Sequence, residues 1–257
     1  MLRSQFAKLA IAGLTTSLLA TQALAEDKPT GWVGEGSLSA GVSTGNTETT
    51  DFGLALKGDR DTGLWTFGGE LAGEYAETDN IESRNRIFAA LHLDRQINDR
   101  LFGFGSVSHE RDEFSGFESR TFVGGGLGYE ILQGEAQQWT VRGGPGIKID
   151  EIEAELDTST VPATVLTPAT TEESISFIGE SNWRMAFNDN VALSNDSKVL
   201  YAEESTQLKN VIALTAQLNG SLSARVSFEA RHDTNPPLGF EDTDTVSRVS
   251  LVYGFGK

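Results

Sequence analysis

From residue 32 onward, apolar and polar side chains change places at every second position. Residues 175–187 show it most plainly. Ile175, Phe177, Trp183, Met185 and Phe187 occupy one row, broken only by Gly179 and Ser181, while Ser176, Ile178, Glu180, Asn182, Arg184 and Ala186 form the other. In an extended chain alternate side chains point to opposite faces. The rule predicts strands at 32–43, 49–59, 64–76, 84–96, 100–111, 119–132, 137–150, 174–187, 190–203, 207–218, 221–232 and 245–256. Most run to about 11–14 residues, against about 5–6 for a globular strand and about 9–11 for one that crosses a bilayer. The lengths predict membrane-spanning strands, about twelve of them.

The segments between them sort into two kinds. "DRDTG" (59–63), "INDR" (97–100), "QGEAQ" (133–137), "NDN" (188–190) and "NG" (219–220) are tight and rich in turn formers. "STGNTET", "AETDNIES", "RDEFSGFES", the stretch 151–173, "EESTQ" and "DTNPPLGFEDTD" alternate with them, and most are longer and acidic. Short periplasmic turns facing longer outer loops mark the barrels of bacterial outer membranes. An even strand count places both termini of the barrel domain on the short-turn side. The expected fold is all-β: a closed antiparallel transmembrane β-barrel of about twelve strands.

Closure decides which row faces what. The apolar rows include Trp65, Phe67, Leu71 and Tyr75; Val123, Leu127, Tyr129 and Ile131; Leu222, Val226 and Phe228; Val249, Leu251, Tyr253 and Phe255. Aromatics gather near strand ends, as in interfacial girdles, so these rows are expected to face lipid. The opposite rows then line the lumen with Glu70, Glu74, Arg86, Arg142, Lys148, Glu180, Arg184, Arg225, Glu229, Arg231 and Arg248. Most arginines there should bridge to carboxylates on neighbouring strands, because an unpaired one is costly in a narrow lumen. Basic residues outnumber acidic ones in this set, which assigns the excess acid of the chain to loops and turns.

Composition narrows the picture further. Hydrophobic residues make up 38% of the 257, glycines number 28, and there is no cysteine, so neither disulfides nor thiolate-bound metal hold the fold. The formal charge of −17 disfavours nucleic acid as a partner. Residues 1–25 carry Arg3 and Lys8, an apolar stretch over 9–20 and an Ala-Leu-Ala ending, which read as a secretory signal peptide. The barrel domain is then 26–257, with 18 basic and 37 acidic residues, and the expected location is the outer membrane.

Candidate chemistry is sparse. "SVSHERDE" (106–113) invites a serine hydrolase, yet Ser108 and His109 are neighbours in a strand and point to opposite faces. In the 233–244 loop, Asp233, Asn235, Asp242 and Asp244, with Glu241, offer oxygens of the kind calcium takes. The spacing matches no EF-hand. "GGGLG" (124–128) precedes no helix and so makes no phosphate loop; its glycines let backbone or bulky side chains approach closely. Residues 151–173 read as the longest outer loop, with a lumen plug as the alternative. No catalytic residue, cofactor or metal is expected.

Several motifs together resemble a family. Trp32-x-Gly34 followed by "STGNT" (43–47), "LDRQINDRLFGFG" (93–105) with "ERDEF" (110–114), "GGGLGY" (124–129), "RHDTNPPLGFEDTDT" (231–245) and "LVYGF" (251–255) are similar, in that order, to the salt-induced outer-membrane proteins, a domain of unknown function. That resemblance implies an outer-membrane barrel with a link to salt or envelope stress. The expected function is non-catalytic, with a narrow pore for small ions or solutes. The alternatives are a lipid-modifying outer-membrane enzyme and a soluble periplasmic barrel holding an apolar ligand. The expected partners are outer-membrane lipid and lipopolysaccharide, and the barrel-assembly machinery through the C-terminal strand.

Overall fold

The structure, a computed structural model, describes residues 31–44, 49–78, 81–157, 164–237 and 239–256. The expected signal peptide and most of the "STGNT" turn lie outside them. Twelve long strands form the barrel: β1 (Trp32–Thr44), β2 (Thr49–Asp61), β3 (Trp65–Thr78), β4 (Ile81–Gln96), β5 (Leu101–Asp112), β6 (Phe117–Gln133), β7 (Gln137–Ile152), β10 (Thr170–Asn188), β11 (Val191–Ala202), β12 (Gln207–Gln217), β13 (Leu222–Asp233) and β14 (Thr243–Phe255). Two short strands, β8 (Glu155–Asp157) and β9 (Thr164–Thr167), pair only with each other between β7 and β10. Every barrel strand pairs antiparallel with its neighbours, and β1 pairs with β14 from Gly34↔Phe255 to Thr44↔Thr245. The sheet has no edge.

The short turns explain themselves locally. Asn98, Asn188 and Asn219 each accept two backbone N–H groups at 2.9–3.1 Å, from Arg100 and Leu101, Asn190 and Val191, and Ser221 and Leu222. A side-chain carboxamide thus satisfies the backbone where the ladder stops. At the opposite end two expected loops are mostly ladder instead. "AETDNIES" pairs as far as Thr78↔Ile81, and "RDEFSGFES" as far as Asp112↔Phe117, each across a bulge. Acidic composition suggested loops, but a hairpin that stands clear of the bilayer loses nothing by carrying charge on both faces. β8 and β9 likewise pair with each other within the expected 151–173 loop.

The outer surface is an apolar belt. Leu38, Leu54, Leu71, Leu91, Leu127, Phe177, Val226, Leu251 and Tyr253 are all exposed, some above 60%. A soluble protein does not present such a continuous patch; this surface faces lipid. Trp32, Trp65, Trp139 and Tyr253 ring the short-turn end, and Tyr75 and Tyr201 stand at the other. Trp183 and Met185 share the outward row but are half-buried against strand neighbours, Trp183 opposite Trp139. A bulge between Glu130 and Leu132 displaces Ile131, so that Leu132 opposes Trp139 on the outside.

Val226 is at mid-belt and Ser227 faces the lumen. Val226→Arg should destabilise the barrel by about 2–4 kcal/mol in urea titrations in lipid vesicles, and Ser227→Gln by much less. Equal costs would mean that lipid does not cover that face.

Candidate functional site

The lumen is a polar cavity of about 830 Å³ that runs inside the barrel. Towards its loop end nine charged side chains join into one network. Glu74 on β3 sits at the centre, 2.9 Å from Arg86 of β4, 2.5 Å from Arg248 of β14 and 3.5 Å from Arg84 of β4. Arg86 donates also to Glu110 of β5. Asp51 of β2, fully buried, lies 3.2 Å from Arg248 and 3.9 Å from Arg84. Glu229 on β13 accepts from Arg231 and lies 3.6 Å from Lys209 of β12 and 3.8 Å from Arg248. These contacts link seven strands, several of them not adjacent in the barrel.

Glycine makes one of these reaches geometrically feasible. In register, Gly41 of β1 stands between Arg248 and Asp51. A Cβ there would lie 2.5 Å from Asp51 Oδ1 and 2.9 Å from Arg248 Cγ, so only glycine lets the guanidinium cross β1 to its carboxylate. Nearer the short turns, Arg142 of β7 bonds Glu180 directly opposite on β10, which is also 3.4 Å from Lys198 of β11. Arg225 grips Glu35 with two bonds of 2.6 and 2.7 Å across β14, and Lys57 lies 3.3 Å from Glu70.

An apolar patch completes the wall. Phe102, Phe104, Phe122, Ile178 and Leu200 point inward on β5, β6, β10 and β11 and are buried together. Gly128 and Gly126 oppose Phe102 and Phe104 in register, and Gly124 and Gly146 flank the Phe122 ring. The "GGGLG" glycines therefore make room for rings and backbone, as their sequence suggested. Beside the charge network the walls come close: the Lys209 ammonium lies 6.0 Å from the Phe88 ring on β4, six strands away and so halfway round the barrel.

The loop end is bridged. Arg120 of β6 bonds Asp233 at 2.7 Å, five strands away, and stacks 3.3 Å over the Phe117 ring. Asp233 also accepts from the Ser205 hydroxyl at 2.6 Å and the Asn235 N–H at 3.0 Å. The 234–242 loop then reaches the β5–β6 turn, where a Cβ on Gly116 (φ +77°) would meet the Phe240 ring at 2.6 Å and Pro237 at 2.9 Å. One carboxylate therefore gathers chain segments from both sides of the mouth.

Of the expected lumen residues, Glu70, Glu74, Arg86, Arg142, Lys148, Glu180, Arg225, Glu229, Arg231 and Arg248 line it. Arg184 shares their row but is exposed at the short-turn rim. Lys148 is buried 2.9 Å from Asp150 on its own strand. The sequence reading missed Glu35, Asp51, Arg84, Asp94, Glu110, Asp112, Lys198 and Lys209, although each lies in the inward row of its strand and alternation alone could have found it. They bring the inward charges close to balance, in place of the expected basic excess. Once the remaining wall and mouth residues such as Asp59, Asp196, Glu241, Asp242 and Asp244 are counted, carboxylates outnumber Lys and Arg fifteen to ten among the described lining residues. In the acidic loop Asp233 bonds Arg120 and Ser205, and Asp242 accepts from Thr243 at 2.8 Å. No described residues gather into a metal-binding group. Ser108 lines the lumen, whereas His109 points outward and bonds Thr121 at 2.8 Å, so the suspected Ser-His pair is not formed.

Comparison with known proteins agrees with this geometry. Residues 36–255 match the family described as "Protein of unknown function, DUF481". No curated protein matches the chain. Among solved structures, the NanC porin is similar at 9% identity and a TM-score of 0.54, over 85% of this chain and 98% of that one. The translocator domain of the autotransporter NalP from Neisseria meningitidis has 13% identity and a TM-score of 0.51, over 87% and 88%. An outer membrane channel from Pseudomonas putida F1 has 12% identity and a TM-score of 0.50, over 90% and 97%. At such identities the likeness is one of fold.

Glu74→Gln would leave Arg248, Arg86 and Arg84 short of a buried carboxylate and should cost about 3–5 kcal/mol. Glu70→Gln, whose partner Lys57 is half-exposed, should cost under about 1 kcal/mol. Urea unfolding in one lipid system compares them.

Proposed function

The chain belongs to the DUF481 family, and from that footing we propose that it is a non-catalytic outer-membrane barrel acting as a narrow pore for small ions and solutes. The observation that carries this is the lumen itself. It is a charge-lined cavity, and Lys209 nearly reaches the opposite wall beside the charge network. A passage of that width, with carboxylates in excess, favours small cations over sugars, since a charged low-dielectric channel concentrates counter-ions. The enzymatic alternative draws no support from "SVSHERDE", and an apolar ligand does not suit a lumen lined by charge. The resemblance to salt-induced proteins adds a role under salt or envelope stress to the proposal, which growth of a deletion strain at raised salt would test.

Purified protein in a planar bilayer should give small, cation-selective conductance in a KCl gradient. A silent membrane would leave a purely structural barrel. Arg225→Gln should increase the cation preference by freeing Glu35. Neutralising Arg184 strips no partner from Glu180 or Glu229, which are held by Arg142, Lys198, Arg231 and Lys209.

Asp233→Asn, which weakens the bridge over the mouth, should raise conductance, and the exchange Arg120→Asp with Asp233→Arg should bring it back towards the wild-type level. An unchanged conductance in Asp233→Asn would show that the loops do not restrict passage.

A further inference from the structure

Arg120 on β6 stands between two carboxylates and bonds neither. In register it is directly opposite Glu110 of β5 and Asp150 of β7, and cross-strand partners hold their Cβ atoms about 4.5–5.5 Å apart. Its guanidinium spans the mouth instead, to Asp233 at 2.7 Å. Glu110 is held by Arg86. Asp150 is buried beside Lys148 of its own strand, 2.9 Å away, and its Oδ1 has no hydrogen-bond partner among the described residues. The Arg120 Nε is buried and unpartnered as well. A donor and an acceptor on adjacent strands, both lining the lumen, are thus left unjoined, and each such orphan is unfavourable.

The same groups close most of a ring. Lys148 donates to the Ser205 carbonyl at 3.5 Å, and the Ser205 hydroxyl donates to Asp233 at 2.6 Å. Contacts therefore run from Asp150 through Lys148, Ser205 and Asp233 to Arg120, and stop one step short of Asp150. We infer that Arg120 is a two-position latch, which holds Asp233 in this closed mouth and turns to Asp150 when the mouth opens. Either position leaves the other carboxylate attended. Asp233 keeps the Ser205 hydroxyl and the Asn235 N–H, and Asp150 keeps Lys148. Neither arrangement strands a bare buried charge, whose cost would forbid the turn, so the same side chains have two states of similar free energy. In the second, the ion pair from β6 to the end of β13 is gone and the mouth of the pore proposed above is free to widen. The consequence for passage rests on that reading, whereas the turn of Arg120 does not.

A stability cycle reads the turn, by urea titration in lipid vesicles. Asp150→Asn deprives Lys148 alone in the otherwise unaltered barrel, but both Lys148 and Arg120 in the Asp233→Asn barrel. Its shift of the unfolding midpoint should therefore be clearly larger in the second, and adding Arg120→Gln should abolish the difference. Folding is checked by the heat-dependent gel shift of barrels, with Asp233→Ser in reserve if Asp233→Asn does not fold. Opening is read by pulsed dipolar spectroscopy between spin labels at Glu118→Cys and Asn235→Cys, the only thiols in a chain with no native cysteine. Asp233→Asn should move that distance to longer values. Equal midpoint shifts in the two backgrounds, a difference that survives Arg120→Gln, or a label distance unmoved by Asp233→Asn overturns the latch. Neither readout involves current, so a silent bilayer and a static Arg120 are told apart.

Discussion

Hydrocarbon offers no partner for a backbone N–H or C=O, and that constraint orders everything else in this protein. A sheet can cross lipid only if both edges of every strand are paired, so β1 must meet β14 and the ladder must run the full thickness of the membrane. Closure gives each strand one face towards lipid and one towards the lumen. The alternation of the chain is the consequence. Apolar rows have only one place to go, and the charges at mid-strand are sent inward, while a few such as Arg95, stacked on Trp65, stay outside near strand ends.

Once inside, charges meet the opposite constraint. A narrow lumen solvates them poorly, so each must find a counter-charge. The solution is a network and not a set of isolated neighbours: Glu74 takes arginines from β4 and β14, and Arg248 serves Asp51, Glu74 and Glu229 together. Bonds between strands that are not adjacent fix the cross-section, as hydrogen bonds between neighbours cannot. Glycines at Gly41, Gly124 and Gly128 leave room where a guanidinium or a ring must pass. The same contacts that brace the barrel thus set the width and charge of its lumen.

Two regions depart from the apolar-outside, paired-inside rule. The loop end is drawn together by Asp233 instead of standing open. The amide row on β10–β12 places polar groups where lipid alone would favour leucine. Asn195 and Asn210 offset that cost by bonding each other, Ser197 and the Val211 carbonyl.

The sequence by itself determined the architecture. Period-two alternation, strand length and the Asn-led turns are local properties, and they placed twelve strands within a few residues of where they lie. Alternation also told inward Glu180 and Arg225 from outward Phe177 and Val226. What it left open were quantities that depend on which strands face each other across the lumen. Arg225 could be read as inward, but its partner, Glu35, lies 190 positions away on a strand that does not adjoin it. Asp233 looked like a cation ligand until Arg120, from the far wall, took it. Phe102 and Phe104 alternate just as outward residues do, and only the glycines opposite show that they turn inward. Strand registers follow from chain-local pattern; contacts across a closed barrel follow from its curvature and tilt, which exist only when the last strand has met the first.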